Sequence, residues 1–229
     1  TDPRDGTVAS NDPDNSATDG NDATSEEDGT TDGGSTGTGG TGSSGSGGGT
    51  NEPTLPTPEP PVIAWGPWTN PLEGNVVSIT EVDDQLIKIT TSHHFAELIP
   101  TPVASLQGSH SYASQSFIGG GSAGLISNLS AGMDVNFDTG AINNGSLQVH
   151  VADQQWIVDF NGFVSGGHAS LNPFATQLLK SGDLTSSAIE SSLGGVFAGN
   201  AGETFVGGFD LVDSINPINT VDGIFTLGR

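Results

Sequence analysis

The chain has no cysteine among its 229 residues. This absence excludes disulfides and thiol nucleophiles, and it is compatible with an oxidising compartment. Lysine and arginine are also scarce, with four against 27 aspartate and glutamate residues. Nucleic acids and anionic lipid surfaces are bound through clustered basic side chains, so neither is an expected partner.

Long apolar runs are missing as well. No stretch of the sequence approaches the roughly 18 apolar residues of a membrane-spanning helix, so we predict no transmembrane segment. The chain begins at Thr1 without a secretory leader. We expect a processed protein or a piece of a longer one, with any leader or anchor upstream.

The composition changes about a quarter of the way along the chain. Residues 1–34 are acidic, 35–50 are a Gly/Ser/Thr coil, and 51–61 are rich in proline. Ordering such a segment costs roughly 1–2 kcal/mol per residue and buries almost no apolar surface. We therefore predict a disordered acidic linker over 1–61 and a folded domain over 62–229.

Apolar residues recur at every second position through much of the domain. Three clear runs are Met133-Val135-Phe137, Leu147-Val149-Val151 and Trp156-Val158-Phe160. This period indicates antiparallel strands with one buried and one wet face. The predicted strands are 75–80, 85–91, 110–118, 122–130, 132–138, 144–152, 155–164, 193–199, 203–212 and 221–228.

The joints between these strands are short and contain Gly, Asn or Asp, as at 138–140 and 200–202, which is typical of hairpins. We predict an all-β fold: an antiparallel up-and-down eight-stranded β-barrel after one hairpin, behind the disordered tail. Closure removes exposed sheet edges. Pro173 and Gly182 predict a short helix over 173–181, crossing the barrel or its mouth.

One glycine- and phenylalanine-rich stretch, SLGGVFAGNAGETFVGGFD at 192–210, resembles a known family. It is similar to the C-terminal β-barrel of transferrin-binding protein B and related bacterial surface lipoproteins. The positions that carry the resemblance are Gly195, Phe197, Gly199, Gly202, Glu203 and Gly207. SLQGSHSYA at 105–113 and AGMDVNFD at 131–138 are similar to other strands of these barrels.

The same barrel ends long bacterial proteins that begin with a FecR domain, and WGPW at 65–68 is similar to a run in those proteins. The resemblance implies a barrel over about 65–229 and a bacterial cell-envelope location. That location is periplasmic or exposed on the outer-membrane surface, with a possible lipid anchor outside this chain. Transferrin binding is not implied, because it depends on loops outside these motifs.

Three histidines, His93, His94 and His110, are candidate ligand-binding residues, since imidazole suits zinc, copper or haem iron. Adjacent residues of a strand point to opposite faces, so His93 and His94 are not expected to hold one metal together. His110 is a candidate partner for His94. Nothing in the spacing requires such a site, so surface or loop histidines are the preferred interpretation, and we predict no cofactor.

Large aromatic side chains are the other binding candidates. Trp156 is in phase with the apolar face of its strand, which predicts a core position. Trp65 and Trp68 lie among prolines, and we expect them to pin the linker to the barrel wall; a partner surface is the alternative.

No catalytic motif is present: there is no Gly-x-Ser-x-Gly elbow, and the glycines at 119–124 are not followed by Gly-Lys-Ser/Thr. We predict a non-enzymatic barrel module, tethered by its acidic linker, that acts in binding or display. The expected partner is a protein or a small ligand contacted by rim loops near 92–110 and 165–185. The alternative is a haem, metal or small-ligand carrier that uses the loop histidines.

Overall fold

The computed structural model describes residues 60–68, 74, 76–83 and 85–229. Apart from Pro60 and Pro61, the predicted linker lies outside the described residues, so its boundary stays a prediction. Within the described ranges the protein is all-β, with one short 3-10 turn at Val103–Ser105. No helix in these ranges has the length and apolar character of a membrane span.

A four-stranded antiparallel sheet comes first in the chain. Its strands are β1 (Ile63–Pro67), β2 (Ser78–Glu81), β3 (Ile87–Thr90) and β4 (His94–Leu98). They lie in the order β1-β4-β3-β2. The predicted hairpin corresponds to β2 and β3, and the structure adds β4 and β1 beside it.

The remaining strands form a closed eight-stranded barrel. Its members are β5 (Ser109–Gly121), β6 (Gly124–Asn136), β7 (Ala141–Val151), β8 (Gln154–Ser165), β9 (His168–Lys180), β11 (Ile189–Ala198), β12 (Thr204–Asp213) and β13 (Thr220–Gly228). Each pairs antiparallel with its neighbour, and β13 closes the ring on β5. A short strand, β10 (Asp183–Ser186), pairs with β9 outside the ring. The predicted eight-stranded antiparallel barrel is confirmed.

Two local predictions were wrong. The segment 173–181 is not a helix, because it forms the second half of β9. Pro173 lies opposite Phe160 beside a register shift, and a bulge of this kind accepts a residue that has no N–H to donate. The predicted strands 122–130 and 132–138 are one strand, β6, in which Gly132 adjoins a register shift instead of a turn.

The barrel interior is filled by side chains, with large aromatic rings at its centre. Trp156, Phe160, Phe197, Phe205, Phe209 and Phe225 are all fully buried. Glycines make room for these rings. A Cβ atom at Gly207 would lie 2.5 Å from Cζ of Phe225, and one at Gly195 would lie 2.3 Å from Cζ of Phe205.

A second apolar core lies outside the barrel, where the four-stranded sheet packs on the wall formed by β11, β12 and β13. Its buried members are Ile87, Ile89, Ala96, Leu98, Val196, Ala198, Val206 and Ile224. The sheet therefore covers this wall, and most residues along these three strands are buried on both faces.

The ends of the barrel strands define two rims. The upper rim consists of the turns at 122–123, 152–153 and 181–182 and the loop at 214–219. The lower rim consists of the turns at 137–140 and 166–167, the loop at 199–203 and the segment 99–108. Near the upper rim, the loop between β3 and β4 approaches the outer wall of the barrel.

Candidate functional site

Two aspartates stand on the outer wall of the barrel beneath the upper rim. Asp210 on β12 and Asp222 on β13 are direct cross-strand partners. Phe209 and Leu211 point into the barrel core, so the alternation of a strand turns Asp210 outward. Yet Asp210 is only 2% exposed and Asp222 only 4%, because the loop at 91–94 covers them.

Asp222 is the centre of the hydrogen bonds at this junction. Its Oδ2 accepts from Thr91 Oγ1 at 2.6 Å, from the His93 backbone N–H at 2.9 Å and from His94 Nδ1 at 2.9 Å. Its Oδ1 accepts from His93 Nδ1 at 2.9 Å. One carboxylate thus ties the β3–β4 loop to the barrel.

These contacts keep Asp222 ionised. Burial on its own raises the pKa of Asp222, but hydrogen bonds from His94, Thr91 and the His93 backbone outweigh it and leave the pKa lowered. An ionised carboxylate only accepts hydrogen bonds, so both imidazoles carry a proton on Nδ1. When neutral, each ring then has its Nε2 lone pair free to accept.

Asp210 has a weaker set of partners. The backbone N–H of Ser92 donates to its Oδ2 at 3.0 Å, and the Ser92 hydroxyl donates to the same atom. Burial raises the pKa of Asp210 to about 6; Ser92 opposes this shift, while the neighbouring charge of Asp222 adds to it. Two carboxylates therefore sit side by side, and one of them titrates in a mildly acidic range.

The titration of Asp210 predicts a pH-dependent stability. Because its folded pKa of about 6 lies above the ordinary 3.8, the folded state binds the proton more tightly than the unfolded chain. This contribution is fully present below about pH 4 and is lost as the pH rises through about 6. Asp210→Asn cannot ionise, so its stability relative to the wild type should rise by on the order of 2 kcal/mol between pH 4 and pH 7.

Urea unfolding at both pH values measures this difference. Asp183→Asn, at an exposed position of β10, is the matched control and should show no such change. An Asp210→Asn difference that is the same at both pH values would contradict the assignment.

His93 lies between two clefts. One, of about 460 Å³, is lined by His93, His94, Gly120, Gly121, Ser122, Gly124, Leu125, Thr220 and Asp222. The other, of about 380 Å³, is lined by Gly74, Ser92, His93, Glu190, Asp210, Val212, Pro217, Thr220 and Asp222. Both have volumes within the range of small-molecule and anchor-residue pockets.

Exposed apolar side chains stand beside these clefts. Leu125 is 82% exposed, Ile215 is 71% exposed and Ile218 is 75% exposed. Leu125 starts β6, and the two isoleucines belong to the 214–219 loop. Leu125 lines the first cleft, and the loop of the two isoleucines reaches the second cleft through Pro217. Scattered apolar side chains are normal on a surface, but three at this one rim mark a candidate contact site.

Comparison with known proteins gives likenesses to solved structures only. No protein-family profile matches the chain, and no curated protein matches it. The isotype 1 transferrin-binding protein B of serogroup B Neisseria meningitidis shares 18% identity, over 69% of this chain and 35% of that chain, with a TM-score of 0.43. A mutant transferrin-binding protein B of Haemophilus parasuis Hp5 shares 10%, over 69% and 38%, with a TM-score of 0.41.

The N-lobe domain of lactoferrin-binding protein B of Moraxella bovis shares 14% identity, over 74% of this chain and 80% of that chain, with a TM-score of 0.33. This chain covers little more than a third of the two transferrin-binding proteins. At TM-scores this low, no property of those proteins passes to this chain. The function of this chain is therefore inferred from its own clefts and rims.

The predicted histidine candidates separate into two places. His93 and His94 both contact Asp222 through Nδ1. The two side chains were expected on opposite faces of one strand, and this was wrong because His93 lies in a bend before β4. His110 starts β5, where its Nε2 lies 3.0 Å from the Gln107 carbonyl oxygen. Gly121, which lines a cleft together with His94, is at the other end of that strand, about 36 Å from His110 at roughly 3.3 Å per residue, so His110 does not join His94.

The three tryptophans also occupy different environments. Trp156 is fully buried inside the barrel, and Trp65 packs against the second core on the outer wall. Trp68 stacks on Phe95 with ring centroids 5.4 Å apart, and Lys88 Nζ lies 4.4 Å from the Trp68 ring centroid. The predicted contact with the linker lies outside the described residues.

The glycine motif builds the lower end of the β11–β12 hairpin. Gly199 and Gly202 have φ values of +96° and +78°, which side chains rarely adopt. Oε2 of Glu203 accepts from the Ala201 N–H at 3.0 Å, and the Tyr112 hydroxyl donates to the Gly202 carbonyl. These residues shape a turn far from the clefts, and a binding role for them stays a prediction.

Sequence reasoning missed Asp210 and Asp222 as site residues. A usable signal was present, because each aspartate interrupts a strand that is otherwise almost continuously buried. Charged side chains are seldom buried without a partner, so such an interruption indicates polar groups arriving from another part of the chain. Within the described ranges, no group of three or more His, Cys, Asp or Glu side chains is arranged to hold a metal ion.

Proposed function

We propose that this protein is a non-enzymatic binding module, displayed at the bacterial cell surface, whose upper rim contacts a macromolecular partner. The observation that carries the proposal is the exposure of Leu125, which lines one cleft, and of Ile215 and Ile218, whose loop lines the other through Pro217. Apolar surface of this kind favours association because its contact with water is unfavourable.

The filled interior supports a contact surface on the outside of the molecule. An eight-stranded barrel has room either for its own side chains or for one small ligand. Here large rings occupy the interior, including Trp156, Phe209 and Phe225. The clefts beside His93 lie outside the barrel wall, where a partner reaches them without opening the barrel.

The proposed contact loops differ from those predicted from the sequence. Of the segment 92–110, His93 and His94 line a cleft near the upper rim, and 99–108 lies at the lower rim. Most of 165–185 is strand β9. The proposed contacts come instead from 122–125 and 214–219.

Three side chains at each rim provide a matched test. The variant Leu125→Ser/Ile215→Ser/Ile218→Ser removes the exposed apolar surface at the upper rim. The control Val62→Ser/Ile99→Ser/Val103→Ser does the same with exposed residues at the lower end. All six side chains are more than half exposed, so each substitution should change the free energy of unfolding by no more than about 0.5 kcal/mol.

The measurement is quantitative mass spectrometry of extracellular proteins retained on the immobilised full chain. A partner should be retained by the wild type and the lower-rim variant, and its retention should fall roughly tenfold or more with the upper-rim variant. If every retained protein binds both variants equally well, the upper rim is not the binding surface.

The proposal includes surface display. It also includes two predictions that rest on the sequence resemblance alone: a lipid anchor upstream of Thr1 and a FecR-containing parent protein. The acidic, cysteine-free composition is compatible with display, and the sequence resemblance supports it. The carrier alternative, in which His93, His94 or His110 binds haem, a metal or another small ligand, stays a prediction.

A further inference from the structure

We infer that the partner of the upper rim is cationic: a segment in which lysine or arginine lies next to apolar side chains, its basic head group entering the cleft beside Asp210. This inference rests on the proposed function and names the chemistry of its partner. The apolar side chains of the segment would cover Ile215, Ile218 and Leu125.

The cleft beside Asp210 combines an acidic floor with an apolar edge. Asp210, Asp222 and Glu190 contribute three carboxyl groups to its lining, and Val212 and Pro217 contribute the apolar part. No lysine or arginine lines this cleft. A concave site with charge of one sign and apolar walls concentrates its electrostatic potential, which attracts ions of the opposite sign.

The cations of the described chain are held elsewhere. Lys88 Nζ lies 2.8 Å from Glu97 on the four-stranded sheet, and Lys180 Nζ lies 3.9 Å from Asp153 at the upper rim. Arg229 is at the lower end of the barrel, where its backbone N–H donates to the Glu203 carbonyl. Within the described residues, His93 and His94 satisfy Asp222, whereas no lysine or arginine lies beside Asp210 and Glu190, whose charge is left to solvent ions or to a partner.

Asp210 is the carboxylate that would gain most from a cation. Across the described residues, its hydrogen bonds come from Ser92 alone and reach only Oδ2. Its raised pKa is the sign of a buried charge with insufficient compensation. A guanidinium group donates two parallel hydrogen bonds to a carboxylate, so arginine suits this site better than a point charge.

The surrounding apolar side chains fit a mixed segment better than a purely basic one. Ile215 and Ile218 belong to the same loop as Pro217, which lines the cleft. A polybasic segment would leave these exposed isoleucines in water, whereas neighbouring leucine, isoleucine or phenylalanine would cover them. Protein interfaces commonly combine such an apolar centre with arginine and with charged groups at the edge.

A displayed random-peptide library tests this chemistry on the full chain. The library is first depleted on the Leu125→Ser/Ile215→Ser/Ile218→Ser variant and then selected on the wild type. We expect the enriched peptides to carry lysine or arginine within a few residues of leucine, isoleucine or phenylalanine. Enrichment of neutral or acidic peptides would overturn the inference.

The selected peptide then goes into titrations with charge variants. Glu190→Gln and Asp210→Asn should each weaken its affinity by roughly tenfold, as expected for the loss of a partly buried charge contact. Asp138→Asn removes an exposed carboxylate from the lower rim and should leave the affinity unchanged. If Asp138→Asn weakens binding as much as Glu190→Gln, the attraction comes from overall charge and the site is wrong.

Glu190 is exposed, so Glu190→Gln keeps the test valid even if Asp210→Asn unfolds the protein. The outcomes also separate this inference from the proposed function. Suppose that the retention of a protein falls with the upper-rim serine variant but does not change with Glu190→Gln. That result would overturn the cationic chemistry alone. Retention that ignores the upper-rim serine variant would overturn the binding surface itself.

Discussion

Replacing Asp222 with alanine is expected to lower the free energy of unfolding by about 3–5 kcal/mol, the cost typical of removing one partner from a buried ionic or hydrogen-bonded pair. The carboxylate accepts four hydrogen bonds, from Thr91, His93 and His94. Alanine would leave Nδ1 of the buried His94 ring without its acceptor, and unpaired buried groups keep their full desolvation cost.

Urea unfolding measures the loss, and Asp183→Ala at an exposed position serves as the control, with an expected change within about 0.5 kcal/mol. Hydrogen exchange locates the damage: the amides of β4 should lose protection before those of β8. A loss for Asp222→Ala as small as that of Asp183→Ala would mean that the loop at 91–94 is held mainly by the second core.

A second large effect is expected where glycines and aromatic rings share the barrel interior. Phe225→Ala should destabilise the protein by about 3–5 kcal/mol through the cavity it leaves. Gly207→Ala should cost about 1–3 kcal/mol, because its new Cβ would lie 2.5 Å from the Phe225 ring and must displace it.

The double variant tests whether these two residues fill one space. Without the Phe225 ring, the methyl group of Gly207→Ala loses its closest contact and keeps the one to Cε1 of Phe205 at 2.8 Å. The combined loss should therefore be smaller than the sum of the single losses, by roughly 1 kcal/mol. Gly166→Ala, in a turn where no atom lies within 4 Å of the added Cβ, is the control for packing, although its positive φ adds its own strain. Strict additivity would show that Phe225 does not set the requirement for glycine at 207.

The sequence predicts the barrel well where one face of a strand is wet and the other is buried. In β7, Leu147, Val149 and Val151 alternate with more exposed residues, and the strand is found as expected. The prediction failed at β9, since Pro173 is as compatible with a bulge as with the first turn of a helix. Only the pairing with β8, which lies outside the local sequence, decides between them.

The candidate site could be predicted only in part, for a related reason. The histidine pair is visible in the sequence, but the acceptor of His94 lies 128 residues further along the chain. Local periodicity places Asp222 on the outer face of its strand, but it does not show which residues contact it there. The four-stranded sheet turns that outer face into a buried one. The sequence indicated two of its strands, β2 and β3, but their alternation does not say which surface of the barrel they cover.

The wall shared by the two cores has a consequence for the integrity of the molecule. A fragment that starts at Ser109 would keep every strand of the ring and would uncover Val196, Val206 and Ile224 at once. Such a fragment would expose a continuous apolar surface and would be prone to self-association. We therefore expect the ring and its covering sheet to unfold together.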